Sequence, residues 1–356
     1  VTRVLQFVPT LEHGGVGDHI LQVDRLLRDK GVETAIFAQV VRPDLADRGR
    51  DFADYGRSFK ARPDDVLLYH VAQGAALGDF VLGRPERLVL DHHNITPERY
   101  FRTWAPEQVH NLAWGRRQLT RLAPKAVLGL GDSTFNAQEL AVLGCARIAT
   151  APIILDLSAF ETAVDEDAVA RLTTDATAWF FGPGRWAPNK CQHDLVKAFA
   201  VYRQVYDPDA VLRIVGSRAI DGYFEAVAAL VGDLGLHDVV DLAVGVSSGV
   251  AAAHFRTATV QVSVSEHEGF WVPALESMHH RLPVVAYGTG AVPETVGDGG
   301  LVLRDKSPAK VAAAVHRVVS DPELRTGLAD AGERHLATFD LSVTRERMWS
   351  ALSAVL

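Results

Sequence analysis

Glu268 and Glu276 bracket the stretch Glu268-Gly269-Phe270-Trp271-Val272-Pro273-Ala274-Leu275-Glu276, which has the residue types to hold a sugar beside a phosphate. Val260–Val264 before it is a short valine-rich run that reads as a buried strand. Pro273 suits the first turn of a helix, where its missing N–H costs nothing. That helix is expected to run to about His280 and stop before Leu282-Pro283, because a residue preceding proline avoids helical ψ. Glu268 then falls on the loop at the strand's carboxyl end, and Glu276 lies one turn into the helix. Between them the N–H groups of Gly269, Phe270, Trp271 and Val272 point out of a helix N-terminus, which carries about +0.5 charge and attracts anions. A carboxylate in that place is either a plain cap or dipole partner, or the acceptor for a sugar or ribose hydroxyl held next to a phosphate.

Two further loops follow strands and open helices. In Gly14-Gly15-Val16-Gly17 the amides can approach a phosphate closely, the alternative being a simple tight turn. It is not a dinucleotide fingerprint, since Ile20 stands where G-x-G-x-x-G needs its last glycine, and no G-K-[ST] follows to make a P-loop. The second loop, Phe181 to Lys190, carries Arg185 and Lys190 on one connection. Arg forks onto two oxygens and Lys acts as a mobile point charge, so the pair suits a diphosphate, with solvated surface cations as the alternative. Asp91-His92-His93-Asn94 ends a strand of the N-terminal half. Adjacent strand residues point to opposite faces and chelate poorly, so no metal is expected there: one histidine faces the ligand and the other packs or caps. Asp207-Pro208-Asp209 reads as a turn. Arg116, Arg117, Arg121 and Lys125 read as a solvated helix face, with an acceptor patch or weak membrane-surface contact as the second reading. There is no G-x-S-x-G elbow or H-E-x-x-H helix to support a hydrolase or zinc protease.

These residues need elements to hold them. At 356 residues the chain exceeds one ordinary core. A composition 48% apolar and a mean hydropathy near zero describe a globular protein. The net charge of −8 argues against nucleic acid as a partner. Cys145 and Cys191 lie far apart, which suits a reducing cytoplasm. No apolar run approaches the ~20 residues of a membrane span, and no signal-peptide core is present at the start. The first residue, Val1, implies an initiator Met removed or outside the numbering. Strands alternate with helices twice over. Residues 1–160 are expected to form one Rossmann-like α/β domain and residues 161–341 a second, with an amphipathic helix at 342–356 able to pack on either. Two such open parallel sheets would face each other across a cleft lined by their carboxyl edges.

Taken in order, the Gly-Gly loop, Gly184-Arg185-x4-Lys190 and Glu268-x7-Glu276 resemble the retaining GT-B glycosyltransferases of family 4. The likeness runs nearly end to end and is strongest over Phe181–Ala200 and Val260–Val302, including Gly290-Ala291-Val292-Pro293-Glu294-Thr295-Val296. His92 to Pro97 and Gly131 to Asn136 look like N-terminal segments of the same family. The resemblance implies a hexosyl or deoxyhexosyl transferase using a nucleotide-diphosphate-sugar as substrate and no metal or other cofactor. Its acceptor would be a carbohydrate, a lipid-linked compound or a natural product. Arg185 and Lys190 would neutralise the donor diphosphate with Gly184 beside them, helped by the amides of Gly15, Val16 and Gly17. Glu268 would hold the donor sugar, with Gly269, Phe270, Trp271 and Val272 presenting amides to hydroxyls and phosphate. Glu276 would accept from the ribose, the base would lie near Val244-Gly245, and His93 would sit by the sugar's outer hydroxyl and the acceptor.

Breaking a glycosyl–phosphate bond builds positive charge on the sugar and negative charge on the departing diphosphate. Preorganised cations and helix N-termini stabilise that separation. Double displacement needs a nucleophile close to the anomeric carbon, for which Glu268 is the candidate, but the resemblance makes it a positioning group and favours front-side attack. Trp271 stands where many relatives carry a small residue, Cys191 where glycine is frequent, and Pro152-Ile153-Ile154 lacks an Asn often found there. The competing readings are an epimerase or hydrolase of nucleotide sugars on the same architecture, and a degenerate nucleotide-binding scaffold.

Overall fold

The computed structural model describes residues 2–356. The first strand begins at Arg3, and Val1 lies outside the described residues. Contacts divide the chain into two compact units. The first comprises the chain up to Arg102, Pro106–Asp156 and Phe339–Leu356, and the second Thr103–Ala105 and Leu157–Thr338.

In the first unit the strands are β1 (Arg3–Leu11), β2 (Glu33–Val41), β3 (Gly49–Asp51), β4 (Val66–Val71), β5 (Arg87–His92), β6 (Leu128–Gly131) and β7 (Ile148–Thr150). They form one parallel sheet in the order β3-β2-β1-β4-β5-β6-β7. The helices are α1 (Gly15–Asp29), α2 (Ala76–Leu82), α3 (Pro106–Leu122) and α4 (Thr134–Val142). Central β1 is buried over almost its whole length, as a strand covered on both faces must be. Its side chains alternate. Leu5 and Phe7 pack with Phe37, Leu67 and Tyr69 on one face, while Val4 packs with Leu68, Val89 and Val23 of α1 on the other.

The second unit opens with α5 (Glu166–Leu172). Its strands are β8 (Ala178–Arg185), β9 (Val211–Ser217), β10 (Val240–Val244), β11 (Val260–Ser263), β12 (Val284–Tyr287) and β13 (Gly300–Leu303). The sheet is parallel, in the order β10-β9-β8-β11-β12-β13. Its helices are α6 (Gln192–Val205), α7 (Asp221–Asp233), α8 (Ser248–Thr257), α9 (Val272–His279), α10 (Val292–Val296), α11 (Pro308–Ser320) and α12 (Pro322–Leu336). The last helix, α13 (Leu341–Ser353), belongs to the first unit: Met348 and Leu352 are fully buried against Val4, Val23 and Leu27, and Arg345 pairs with Asp29. No described helix is long and apolar enough to cross a membrane.

Both sheets are mainly central strands, whose continuous apolar runs are visible in the sequence. The short edges β3 and β7 and the short helices α2, α4 and α10 are not, because each carries too few apolar positions to set a period. One expected loop is a strand. Pairing along β8 breaks between Phe181 and Gly184 and then resumes, Gly184 opposite Gly216 and Arg185 opposite Ser217, so Arg185 ends a strand.

Candidate functional site

In the second unit β8 has β9 on one side and β11 on the other, so consecutive connections leave its carboxyl edge in opposite directions. Open α/β sheets bind ligands at such a switch point. The connection after β8 makes a single 3-10 turn, Pro188–Lys190, and enters α6 through Cys191 in the left-handed region at φ 52°. Buried Asn189 ties this turn to the loop after β11: its Nδ2 donates to the His267 carbonyl (3.2 Å), and its own carbonyl accepts from the Glu266 amide (2.8 Å). Lys190 follows, and its Nζ lies 2.8 and 2.7 Å from the two carboxylate oxygens of Glu268. Both side chains are mostly shielded, at 17% and 6% exposure.

The Glu268 backbone is clamped from the other side. Its carbonyl accepts from the Ala291 amide at 3.0 Å, Thr289 Oγ1 donates to the Glu266 carbonyl at 2.8 Å, and Thr295 Oγ1 donates to the Phe270 carbonyl at 2.5 Å. Gly290 sits at φ 52°, and a Cβ on it would fall 2.2 Å from the Glu268 carbonyl oxygen. The run Gly290–Val296 thus holds the loop bearing Glu268 in place.

Trp271 is the N-cap of α9, in the left-handed region at φ 74° and buried, and no side chain caps this helix. In its first turn Pro273 has no N–H and the Ala274 amide donates to the Trp271 carbonyl at 3.1 Å, which leaves the Val272 amide to face an anion with no capping side chain in competition. Glu276 projects into a cavity of about 240 Å³, lined also by Phe160, Thr162, Pro183, Val246 and Ser248. No side chain donates to it, and burial pushes its carboxyl up to about 7. Val244 is exposed and is not part of this lining. Arg185 is exposed, and its guanidinium has no partner among the described residues. Gly184 and Gly269 are partly buried and Phe270 is buried.

The first unit has its own switch point, between β1 and β4. Gly14, at φ 132°, precedes α1 without a side-chain cap. A Cβ on Gly17 would meet the Glu12 carbonyl oxygen at 1.6 Å, so helix–strand packing alone requires this glycine. Gly15 has open space around it and Val16 is partly buried. The Gly14 amide donates to Asp18 Oδ2 at 3.2 Å.

His92 and His93 part company, as strand alternation requires: His92 Nε2 reaches Glu139 at 2.7 Å, while His93 turns toward Asp132, with Nδ1 2.9 Å from its carboxylate. Beyond His93 lie His70, Asp91, His19 and Gln6, all fully buried on the face that α1 covers. Burial pushes the His93 ring down, but the Asp132 and Asp91 carboxylates outweigh it and raise it to about 9. Burial takes His70 down to about 4. Of the basic cluster on α3, Arg116 binds Glu139 at 2.9 Å and Lys125 donates to the Leu82 carbonyl at 3.1 Å, so these two are structural.

The sequence reading missed Asn189, Asp132, His19, His70 and Gln6. Their one signal was polarity inside strands or first turns expected to be apolar, and His70 carries it most plainly, at the end of an otherwise apolar β4.

Residues 171–335 match the family described as glycosyl transferases group 1. The C-terminal unit is a glycosyl transferases group 1 domain. The relative D-inositol 3-phosphate glycosyltransferase of Nocardiopsis dassonvillei is 26% identical, over 95% of this chain and 89% of its own length. Among solved structures, sucrose-phosphate synthase from Thermosynechococcus elongatus aligns with a TM-score of 0.77 at 18% identity, covering 99% of each chain. Anabaena Alr3699/HepE, solved in complex with UDP-glucose, gives 0.75 at 16% identity, again over 99% of each chain. These structures establish the fold as that of the GT-B glycosyltransferases, and the group 1 domain contains Arg185, Lys190, Glu268 and Glu276.

Proposed function

We propose that this glycosyltransferase moves a hexosyl group from a nucleoside-diphosphate sugar to a hydroxyl acceptor with retention of anomeric configuration. The observation that carries the reading is the Lys190–Glu268 ion pair, set beside an α9 N-terminus that no side chain caps. A cation, a helix N-terminus and a carboxylate meet at one sheet edge, which is what a departing diphosphate and a sugar hydroxyl require together. Arg185, exposed and uncommitted, supplies the second cation, with Gly184 beside it. Glu276 accepts from the ribose in the cavity that Val246 and Ser248 line, which moves the base's neighbourhood on from Val244. Gly269, Phe270, Trp271 and Val272 present amides to the sugar and phosphate, and Glu268 orients the sugar through its hydroxyls. In the first unit Gly15, Val16 and Gly17 are the amides offered to the diphosphate, and His93 is the group offered to the sugar's outer hydroxyl and the acceptor.

The acceptor oxygen bonds to the anomeric carbon on the face that the diphosphate leaves, and the leaving phosphate oxygen takes the acceptor's proton. Positive charge on the sugar and negative charge on the diphosphate are stabilised by fixed groups, with no metal assigned to the diphosphate. The reaction belongs in the cytoplasm, where nucleotide sugars are expected.

The test is a binding screen of nucleoside diphosphates and their sugars, followed by product analysis. Because a relative bears the name D-inositol 3-phosphate glycosyltransferase, that compound is the first acceptor to try. An α-linked product from an α-linked donor supports retention, and an inverted product refutes it. Donor breakdown without any acceptor product supports the hydrolase reading. A glycosyl group trapped on Glu268 refutes front-side attack in favour of double displacement.

A further inference from the structure

A second cluster, in the first unit, has no part in the diphosphate chemistry. At the carboxyl ends of β4 and β5, His70 Nδ1 lies 3.0 Å from His93 Nε2 and 3.2 Å from Asp91 Oδ2, and His93 Nε2 lies 3.5 Å from that same oxygen. All three side chains are fully buried.

The outer atoms decide what faces inward. His93 Nδ1 points at the Asp132 carboxylate at 2.9 Å, so a proton is needed there. His70 Nε2 points at Gln6 Oε1 at 3.0 Å and donates to it. A neutral imidazole has one N–H, so a ring that gives up its second proton to a metal turns a lone pair inward. His19 is different. Its Nδ1 accepts from the Ile154 amide at 2.9 Å, which puts its proton on Nε2, where it donates to Asp91 Oδ2 at 3.0 Å. His19 therefore braces the carboxylate and cannot be a ligand itself.

Two nitrogen lone pairs and a carboxylate oxygen thus converge in a dry interior. The other oxygen, Asp91 Oδ1, is buried without a partner. A cation at the centre would compensate this buried charge. Separations of 3.0–3.5 Å are those between ligands of a first-row divalent ion bonded at about 2.0–2.1 Å. Imidazole and carboxylate donors suit such ions, and ring N–H groups anchored by a carboxylate and a carbonyl are the usual outer support of ligating histidines. A contrasting cluster, Cys191, Asp194 and Glu266, is already filled: Lys306 Nζ lies 2.7 Å from Asp194 and 2.8 Å from Glu266.

We propose that His70, His93 and Asp91 bind one first-row divalent cation, Zn²⁺ foremost, which ties β4 to β5 and fixes the His93 ring. The competing occupant is a proton on His93 Nε2, which makes an imidazolium between Asp91 and Asp132. The site shares His93 with the acceptor side of the sugar-transfer reading, but cation binding is measured without transfer, so either can fail alone.

The full chain, stripped with a chelator, is titrated with Co²⁺ while the visible absorption of the bound ion is followed. Binding of one equivalent, reversed by Zn²⁺, with a melting temperature that rises with Zn²⁺, is the expected result. His70→Gln and Asp91→Asn should abolish it, and Asp132→Asn, which removes only outer support, should weaken it about 10–100-fold. If the wild type binds no stoichiometric Co²⁺, the proton occupies the site and the proposal fails. It fails equally if Co²⁺ binds the wild type and the Asp132→Asn variant alike. Neither of these outcomes depends on the ligand variants folding.

Discussion

Lys190 and Glu268, 78 residues apart in the chain, meet as a doubly hydrogen-bonded ion pair, with Nζ 2.8 and 2.7 Å from the two carboxylate oxygens. The pair exists because β8 and β11 are neighbours in the sheet, so the loops leaving them share one edge. Removing either partner leaves a shielded charge uncompensated. Glu268→Ala should abolish transfer in a protein that still melts cooperatively, and turnover at the wild-type level would remove Glu268 from the site. Lys190→Ala should lower kcat by about 10²–10³-fold and also lower the melting temperature.

Arg185 separates stability from function. It is exposed, and its guanidinium makes no hydrogen bond or ion pair among the described residues. Arg185→Ala should leave the melting temperature unchanged and lower kcat/KM by about 10²-fold, on the scale of a lost charge-stabilising donor. A titration of nucleoside diphosphate against both proteins gives the accompanying loss of affinity. Equal affinity for the diphosphate would exclude Arg185 from its site.

Glu276 predicts a pH dependence. Its carboxyl is raised from the ordinary 4.5 to about 7 by burial, and no other titratable group lines its cavity. The folded protein holds this proton between those two values while the unfolded chain has lost it. Stability contributed by Glu276 therefore falls as pH rises through that window. Nucleoside binding should do the opposite, strengthening as pH rises through about 7, because only the carboxylate accepts from both ribose hydroxyls. Glu276→Gln should flatten both slopes, and calorimetric titrations from acid to neutral pH measure them.

Gly290→Ala tests the clamp on the loop. The new Cβ would lie 2.2 Å from the Glu268 carbonyl oxygen at a residue with φ 52°. A collision with backbone costs about 1–3 kcal/mol and the left-handed conformation about 1–2 more. The variant should melt lower and lose turnover together, since the displaced atom belongs to Glu268. Full activity would show that the loop can shift without moving the carboxylate.

Trp271 carries two opposing effects. Replacing it with glycine relieves the left-handed backbone at φ 74° but removes a buried indole. Losing a buried Trp costs about 3–5 kcal/mol and the strain returns about 1–2, so Trp271→Gly should be net destabilised by about 2 kcal/mol. With the side chain gone from the start of α9, the variant should accept a wider range of donor sugars. A donor panel with an unchanged ranking would assign Trp271 to packing alone.

The alternation of strands and helices, the central strands, α3, α6 and the placing of Glu268 and Glu276 about a helix start were all legible in the sequence. Each rests on local physics: apolar period, proline at a first turn, glycine at a sharp bend. The course of β8 through Gly184 to Arg185 was not legible, because Gly182, Pro183 and Gly184 look like a loop and only pairing with β9 makes them a strand. Gly17 shows the limit from the other side. Its presence suggests a phosphate loop, yet its close approach to the Glu12 carbonyl already demands glycine.

The sequence by itself determined the central strands and longer helices, the parallel α/β class and the identity of the charged residues at strand ends, because these follow from neighbours along the chain. Only the tertiary structure decided which of those residues meet. Strand order brings Lys190 to Glu268, and the packing of α1 on the sheet brings His19 to Asp91 beside His70 and His93. Contacts between residues distant in sequence depend on which strands pair and which helix covers them, and the sum of many weak packing contacts sets that order.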